Sequence, residues 1–416
     1  MLVVVGAICL AILVFLLLWQ LIWAQSFARQ FPPQPRPVID EDQLPRVAVL
    51  LPVRGADPSL VGCLRGLLDQ DYPRYDVRII VDSTMDPAWN LVQEILEDND
   101  RPCVRVSELQ ARRDSCSLKT SALLQAIGTL DESYQAVALI DADVIPHRGW
   151  LRDLVLPLTR PEVGATTGIR WFMPKTANWG SLVRTLWNVA ASIQMYALHI
   201  PWGGSLALRT DVLRRSDLLQ KWSMSLWEDT ASYRSIRDLG LQLRFVPAAT
   251  MVNRETTDLQ GTFRFIRRQM LNVRLYHAAW PAIFTQGILT ALTSVVALVI
   301  GVAALAAGDA TAAALLLGGL ALHGVGLGVG LIGIERRVHR LIRDRGEDTP
   351  GVSLKTLCAI PLTHIVYFGC LASARWLDKV SWRGITYEFE GPWDVRMRKY
   401  KPYLKRKPAE QGASVT

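Results

Sequence analysis

Apolar positions along this chain follow two regimes. Residues 1–23, 283–307, 310–334 and 352–374 are long apolar stretches. A bilayer crossing takes about 20 such residues, so the first three predict membrane helices. Little more than Gly308 and Asp309 separates the middle two, which reads as a membrane hairpin. The last stretch is interrupted by Lys355, Pro361 and His364. Proline removes a backbone donor and an imidazole is costly in lipid, so 352–374 predicts a broken or re-entrant element packed against the hairpin.

Between these stretches the apolar runs are short. "VAVLLPV" (47–53), "DVRIIVD" (76–82), "CVRVSEL" (103–109) and "AVALID" (136–141) read as buried strands. Residues 60–69, 89–98 and 117–130 have helical character and fall between them. Strands alternating with helices predict a mostly parallel, Rossmann-like α/β sheet covered on both faces. Ligands in such sheets bind outside the carboxyl ends of the strands, where Asp82, Asp141 and Asp143 fall.

Charge refines this picture. The 416 residues carry a formal net charge of +8, concentrated beside the apolar stretches at Arg336, Arg337, Arg340, Arg343 and Arg345 and again over 396–407. Such clusters suit an anionic lipid surface. No nucleic-acid recognition motif accompanies them, so nucleic acid is not an expected partner. Arg29, Arg36 and Arg46 follow the first apolar stretch. The positive-inside rule then sets the N-terminus outside and the following domain in the cytoplasm, and it opposes a full crossing by 352–374. No basic residue precedes residues 1–23 and no small-x-small cleavage site follows, so they read as an anchor. The six cysteines lack metal-like or paired spacing and read as reduced, structural thiols.

Several groups are open to two readings each. Asp141 and Asp143, alternate residues at a strand end, are either a solvated turn or a pair of oxygen ligands for Mg²⁺ or Mn²⁺. Lys119 opens a helix as a solvent lysine or as a partner for a diphosphate. Asp82 is a turn aspartate or an acceptor for a nucleobase or ribose. Glu228 and Asp229 precede a helix, where acidic residues are stabilising without any function, or supply a general base. In "GTFRFIRRQMLNVRLYHAAW" (261–280) an apolar stripe of Phe263, Ile266, Met270 and Val273 adjoins a basic one of Arg264, Arg267, Arg268 and Arg274. This is an interfacial helix against lipid, or one whose arginines turn inward to a leaving diphosphate, or both.

Taken in order, these motifs resemble the membrane-bound family-2-type glycosyltransferases with a GT-A fold. The resemblance runs over about residues 46–280, plus the membrane layout. The ceramide-glucosyltransferase-like branch fits best, with its single N-terminal anchor, small C-terminal membrane set and "WRGITY" (382–387) after the last segment. The resemblance implies roles. Asp82 contacts uridine, Lys119 meets the diphosphate region, and Asp141 and Asp143 hold the sugar nucleotide and its Mg²⁺ or Mn²⁺. Asp229 is the catalytic base with Glu228 beside it. Gly203 and Gly204, within "PWGGSLALR", line the wall near the sugar and acceptor. The family's Gln-x-x-Arg-Trp appears as Arg264-Phe265-Ile266-Arg267-Arg268, or shifted to Arg268-Gln269, without its tryptophan.

The layout expected is an anchor (1–28), a proline-rich linker (29–45), a GT-A domain (46–257), an amphipathic interfacial helix (258–282), a membrane region (283–374) and a basic tail (375–416). The function implied is metal-dependent, inverting transfer from a UDP-sugar donor to a membrane lipid acceptor. A processive polysaccharide synthase and a non-catalytic membrane scaffold with a retained GT-A domain are the alternatives. The degraded Gln-x-x-Arg-Trp motif weighs against the first, and the intact acidic motifs against the second.

Overall fold

The computed structural model describes residues 1–31, 40–97 and 103–403. Residues 32–39 of the expected linker lie outside the described residues, as do Asp98 and the part of the basic tail from Leu404 onward.

Helix α1 (Leu2–Ala28) is followed by β1 (Val47–Val53), α2 (Leu60–Leu68), β2 (Tyr75–Val81), α3 (Pro87–Glu97), β3 (Val104–Glu108), α4 (Leu118–Gly128), β4 (Ala136–Ile140) and α5 (Trp150–Val155). Next come β5 (Val163–Thr167), β6 (Arg170–Phe172), α6 (Trp179–Leu198), β7 (Ser205–Arg209), α7 (Thr210–Arg215), α8 (Leu218–Trp222), α9 (Asp229–Asp238), β8 (Gln242–Phe245) and β9 (Met251–Asn253). The seven-stranded sheet has the order β3-β2-β1-β4-β7-β5-β8. Strand β1 pairs in parallel with both β2 and β4. Its alternate residues therefore face two cores, Val47, Val49 and Leu51 toward α2, α3 and α5, and Ala48 and Leu50 toward α4 and α9. Burial on both faces is why the run is continuously apolar.

The sheet is parallel except at β7, which runs antiparallel to β4 and β5. Sequence reading gave "PWGGSLALR" no strand. Its reversal matters, because Ser205 pairs with Ile140. The start of β7 therefore lies at the carboxyl end of β4, and Gly204 just before it meets Asp141 there.

The remaining elements are α10 (Leu259–Tyr276), α11 (Trp280–Ala306), α12 (Ala310–Arg343), α13 (Leu354–Cys358) and α14 (Ile360–Ala374), then β10 (Lys379–Trp382), β11 (Ile385–Gly391) and β12 (Asp394–Lys399). Among the described residues, α1, α11 and α12 are long and apolar enough to cross a membrane. Gly308, at φ 78°, ends α11, and the Asp309 side chain accepts from the Ala312 amide at 3.0 Å to start α12. A glycine stop and an aspartate cap make the hairpin turn. Gly319, Gly326 and Gly330 of α12 face Leu10, Leu17 and Leu21 of α1, so the small residues admit the anchor closely. The segment 352–374 is divided at Ala359 into α13 and α14.

Residues read only as a basic tail instead form an antiparallel meander, β10-β11-β12. Ile385, Tyr387, Phe389, Val395 and Met397 are buried in the core beside α4 and α9. Their period-two alternation was present in the sequence but masked by the charges between them.

Candidate active site

Arg54, Asp82, Asp141 and Asp143 follow the carboxyl ends of β1, β2 and β4 and open on a cavity of about 270 Å³. Lys119, Asp229, Arg268 and Gln269 line the same space, so the structure gathers most of the sequence-predicted residues around one volume.

Lys119 sits in the first turn of α4. The Ser117 hydroxyl accepts from the Thr120 amide at 3.1 Å, a side-chain cap that fixes this turn. From there Nζ reaches Asp141 Oδ1 at 2.6 Å and Glu228 Oε1 at 2.7 Å. Burial alone would lower the lysine pKa, but Asp141, Glu228 and Asp229 outweigh it and hold it raised. One ammonium cannot neutralise three carboxylates. Burial works against ionised Asp141 as well, yet Lys119 and Arg170 keep it below the usual carboxylate range. Glu228 is 1% exposed, and desolvation pushes it up to about 7. Of the carboxylates around Lys119, Glu228 is therefore the one pushed toward its protonated form. Glu228 does not line the cavity; it stands behind Lys119 as a positioning group.

Asp229 does face the cavity. Its Oδ2 accepts from the Gly203 amide at 3.1 Å, and its Oδ1 from the Thr230 amide at 2.6 Å and Asn272 Nδ2 at 3.1 Å. A β-carbon on Gly203 would collide with the Glu228 carboxylate, and one on Gly204 with the Trp202 ring and Asp141 Oδ2. Both positions need glycine for close approach.

Sequence reading missed three arginine contacts. Arg170, on β6, donates from Nη2 to Asp141 Oδ2 at 2.9 Å and to Asp143 Oδ1 at 3.2 Å. Arg383, between β10 and β11, pairs with Asp57 at 3.2 Å and lines the cavity. Arg54 pairs with Asp82, whose Oδ2 also accepts from Tyr400 Oη at 3.3 Å. The expected nucleoside contact at Asp82 is thus shared with a resident guanidinium.

The arginine-rich helix turns only one face inward. Phe265, Arg268, Gln269, Asn272 and Val273 of α10 line the cavity at helical spacing. Arg264 and Arg267 are not among the lining residues, and Arg267 lies over the Phe263 ring at 5.7 Å. Arg268 and Gln269, the residues of the shifted motif, are the two of the expected set that reach the cavity. Burial, with Arg383 and Arg170 nearby, lowers the pKa of Arg268 to about 10. Trp382, from the meander, stacks on it at 5.7 Å.

Among the described residues no group of three His, Cys, Asp or Glu side chains could hold a metal ion. Asp141 and Asp143 fit a hard divalent ion all the same. Magnesium-type sites use one or two carboxylates and complete their shell with phosphate oxygens and water. The two side chains line the cavity and are 22% and 25% exposed, so solvent and phosphate oxygens can reach them.

A profile of glycosyl transferase family 21 matches residues 2–391. The chain belongs to that family. This family 21 member is therefore a glycosyltransferase, which sets aside the non-catalytic scaffold. It is 35% identical over 54 residues to the ceramide glucosyltransferase of Komagataella phaffii, covering 13% of this chain and 11% of that enzyme. Over 67 residues it is 34% identical to that of Pyricularia oryzae, covering 16% and 14%. The matched stretches thus span under a fifth of those curated relatives. The fold of this chain is similar to that of the mannosyltransferase PcManGT from Pyrobaculum calidifontis, in complex with GDP-Man and Mn²⁺. The TM-score is 0.55 at 20% identity, over 88% of this chain and 99% of that one. The catalytic domain has the GT-A fold.

Proposed function

We propose that this enzyme transfers a sugar from a UDP-sugar to a hydroxyl of a membrane lipid, with inversion, assisted by Mg²⁺ or Mn²⁺. The observation that carries the reading is the position of Asp229 in one cavity with two unlike walls. Asp141, Asp143, Lys119, Arg170, Arg268 and Arg383 make the charged wall, suited to a nucleoside diphosphate. Trp187 and Met195 of α6, Phe265 of α10 and Ile283 of α11 make the apolar wall, which continues toward the membrane helices. A lipid hydroxyl entering along that wall meets Asp229, which takes its proton as the oxygen attacks the anomeric carbon. Gly203 N–H and Asn272 hold the carboxylate still for this step. Glu228, the adjacent carboxylate, is tied to Lys119 behind the wall, which leaves Asp229 as the base. By analogy with glycoside hydrolysis, a single base then gives inversion.

Asp141 and Asp143 would hold the divalent ion. When bound, it supplies positive charge toward the leaving diphosphate. Arg268 and Arg383 complement that charge from α10 and the meander. The domain limits given above and a cytoplasmic catalytic domain belong to the same proposal.

The test is incubation of purified enzyme with labelled UDP-sugars and a total lipid extract, with manganese or with EDTA. A single-sugar glycolipid formed only with the metal is expected. A long polymer would establish the polysaccharide synthase instead, and full activity in EDTA would remove the metal.

A further inference from the structure

Arg170 lies between the two carboxylates that would hold a divalent ion. Its Nη2 lies between Asp141 Oδ2 and Asp143 Oδ1, at 2.9 and 3.2 Å. Lys119 takes the other Asp141 oxygen at 2.6 Å. Three of the pair's four carboxylate oxygens are therefore engaged by protein cations. The arginine is held there by its surroundings. Strand β6 pairs with β9 and fixes its backbone, and Asn188 Nδ2 donates to its carbonyl at 2.8 Å. Its guanidinium lies 5.0 Å from the Trp202 ring and 5.8 Å from Phe172. Its Nε is buried without a partner, so the group is committed to the carboxylates by one nitrogen only.

We propose that Arg170 is a competing counter-ion for the Asp141–Asp143 pair, which makes metal and nucleoside diphosphate bind together rather than independently. A divalent ion can reach Asp143 Oδ1 and Asp141 Oδ2 only as the guanidinium withdraws, because two cations at one pair of oxygens repel. The diphosphate supplies the anion that receives the displaced guanidinium, whose fork matches phosphate oxygens. The coupling is reciprocal, so metal tightens diphosphate and diphosphate tightens metal by the same factor. This inference rests on the metal reading given above.

Manganese binding to the detergent-purified enzyme, followed by the loss of the free-ion electron paramagnetic resonance signal, tests it without turnover. Wild type should bind manganese weakly alone and at least tenfold more tightly with UDP. Arg170→Gln should bind manganese at least tenfold more tightly alone and show a smaller UDP effect, because only the direct contact between the ion and phosphate oxygens then remains. Arg170→Lys keeps a cation at the site and should stay near wild type. It also guards against a Gln variant that fails to fold. Arg170→Gln with unchanged manganese affinity and unchanged UDP coupling overturns the inference while leaving the metal reading standing. A lysine variant that behaves like glutamine overturns it too. Wild type that binds no manganese, even with UDP, overturns both.

Discussion

Asp229 accepts four hydrogen bonds from three residues, and its proposed role as a base depends on staying in that geometry. Asp229→Asn retains shape and should retain UDP affinity, while turnover falls by roughly 10²–10⁴, the usual share of a general base. Binding and single-turnover rates measured separately distinguish this from a folding defect, in which UDP affinity would fall in step. Glu228 makes a different prediction. Folded, it releases its proton near 7, against an ordinary value near 4.5. Between those values the folded protein holds a proton that the unfolded chain has lost. Stability contributed by this group therefore declines as pH rises through the window and levels off above 7. Glu228→Gln should flatten melting temperature against pH over that range, and an unchanged slope would place the proton elsewhere. At this scale Asp141, Asp143, Lys119 and Asp229 were legible because each stands at a strand end or helix start, where local sequence sets position. Arg170, Arg383 and Asn272 were not. Their partners lie 27 or more residues away, and nothing in an isolated arginine or asparagine signals a tertiary approach.

Among elements, the meander changes the account most. Tyr387 Oη accepts from the Leu118 amide at 3.2 Å, beside the turn that holds Lys119. Arg54 donates to the carbonyls of Arg383 at 3.0 Å and Lys401 at 2.6 Å. A segment beyond the membrane helices thus braces both the first strand and the lysine helix. Arg383→Gln should weaken UDP binding by roughly tenfold, the loss of one charge-assisted contact of about 1.5 kcal/mol, while melting temperature changes little. Titration calorimetry checks it; UDP affinity equal to wild type would reduce Arg383 to a structural partner of Asp57. The parallel strands and the membrane hairpin were legible because long apolar runs and a Gly-Asp turn are local signals. The antiparallel β7 was not, since strand direction is set by partners. The meander was not, because arginines and glutamates on its outer face disguised the buried alternation.

For the molecule as a whole, the catalytic domain rests directly on the bundle. Phe27 at the end of the anchor packs with Tyr196 and Phe245, and Phe31 with Phe245, at ring separations of 5.4 to 6.1 Å. A cysteine at exposed Glu390, in a variant lacking the native thiols, should resist an impermeant maleimide on intact cells and react once they are opened. Rapid labelling from outside would reverse the assigned orientation of the meander. The docking of that meander also imposes an arithmetic on the membrane. Met397 N–H donates to the Asp114 carbonyl at 2.7 Å, so the two ends of the chain between Tyr276 and Lys379 occupy one solvent compartment. The number of complete traverses between them must then be even. Helices α11 and α12 supply two, and α14, with 15 residues, extends only about 22 Å against the roughly 30 Å of a hydrocarbon core. Parity thus leaves α13–α14 as a non-traversing element on the catalytic domain's side of the membrane, the side from which the lipid acceptor proposed above would be reached.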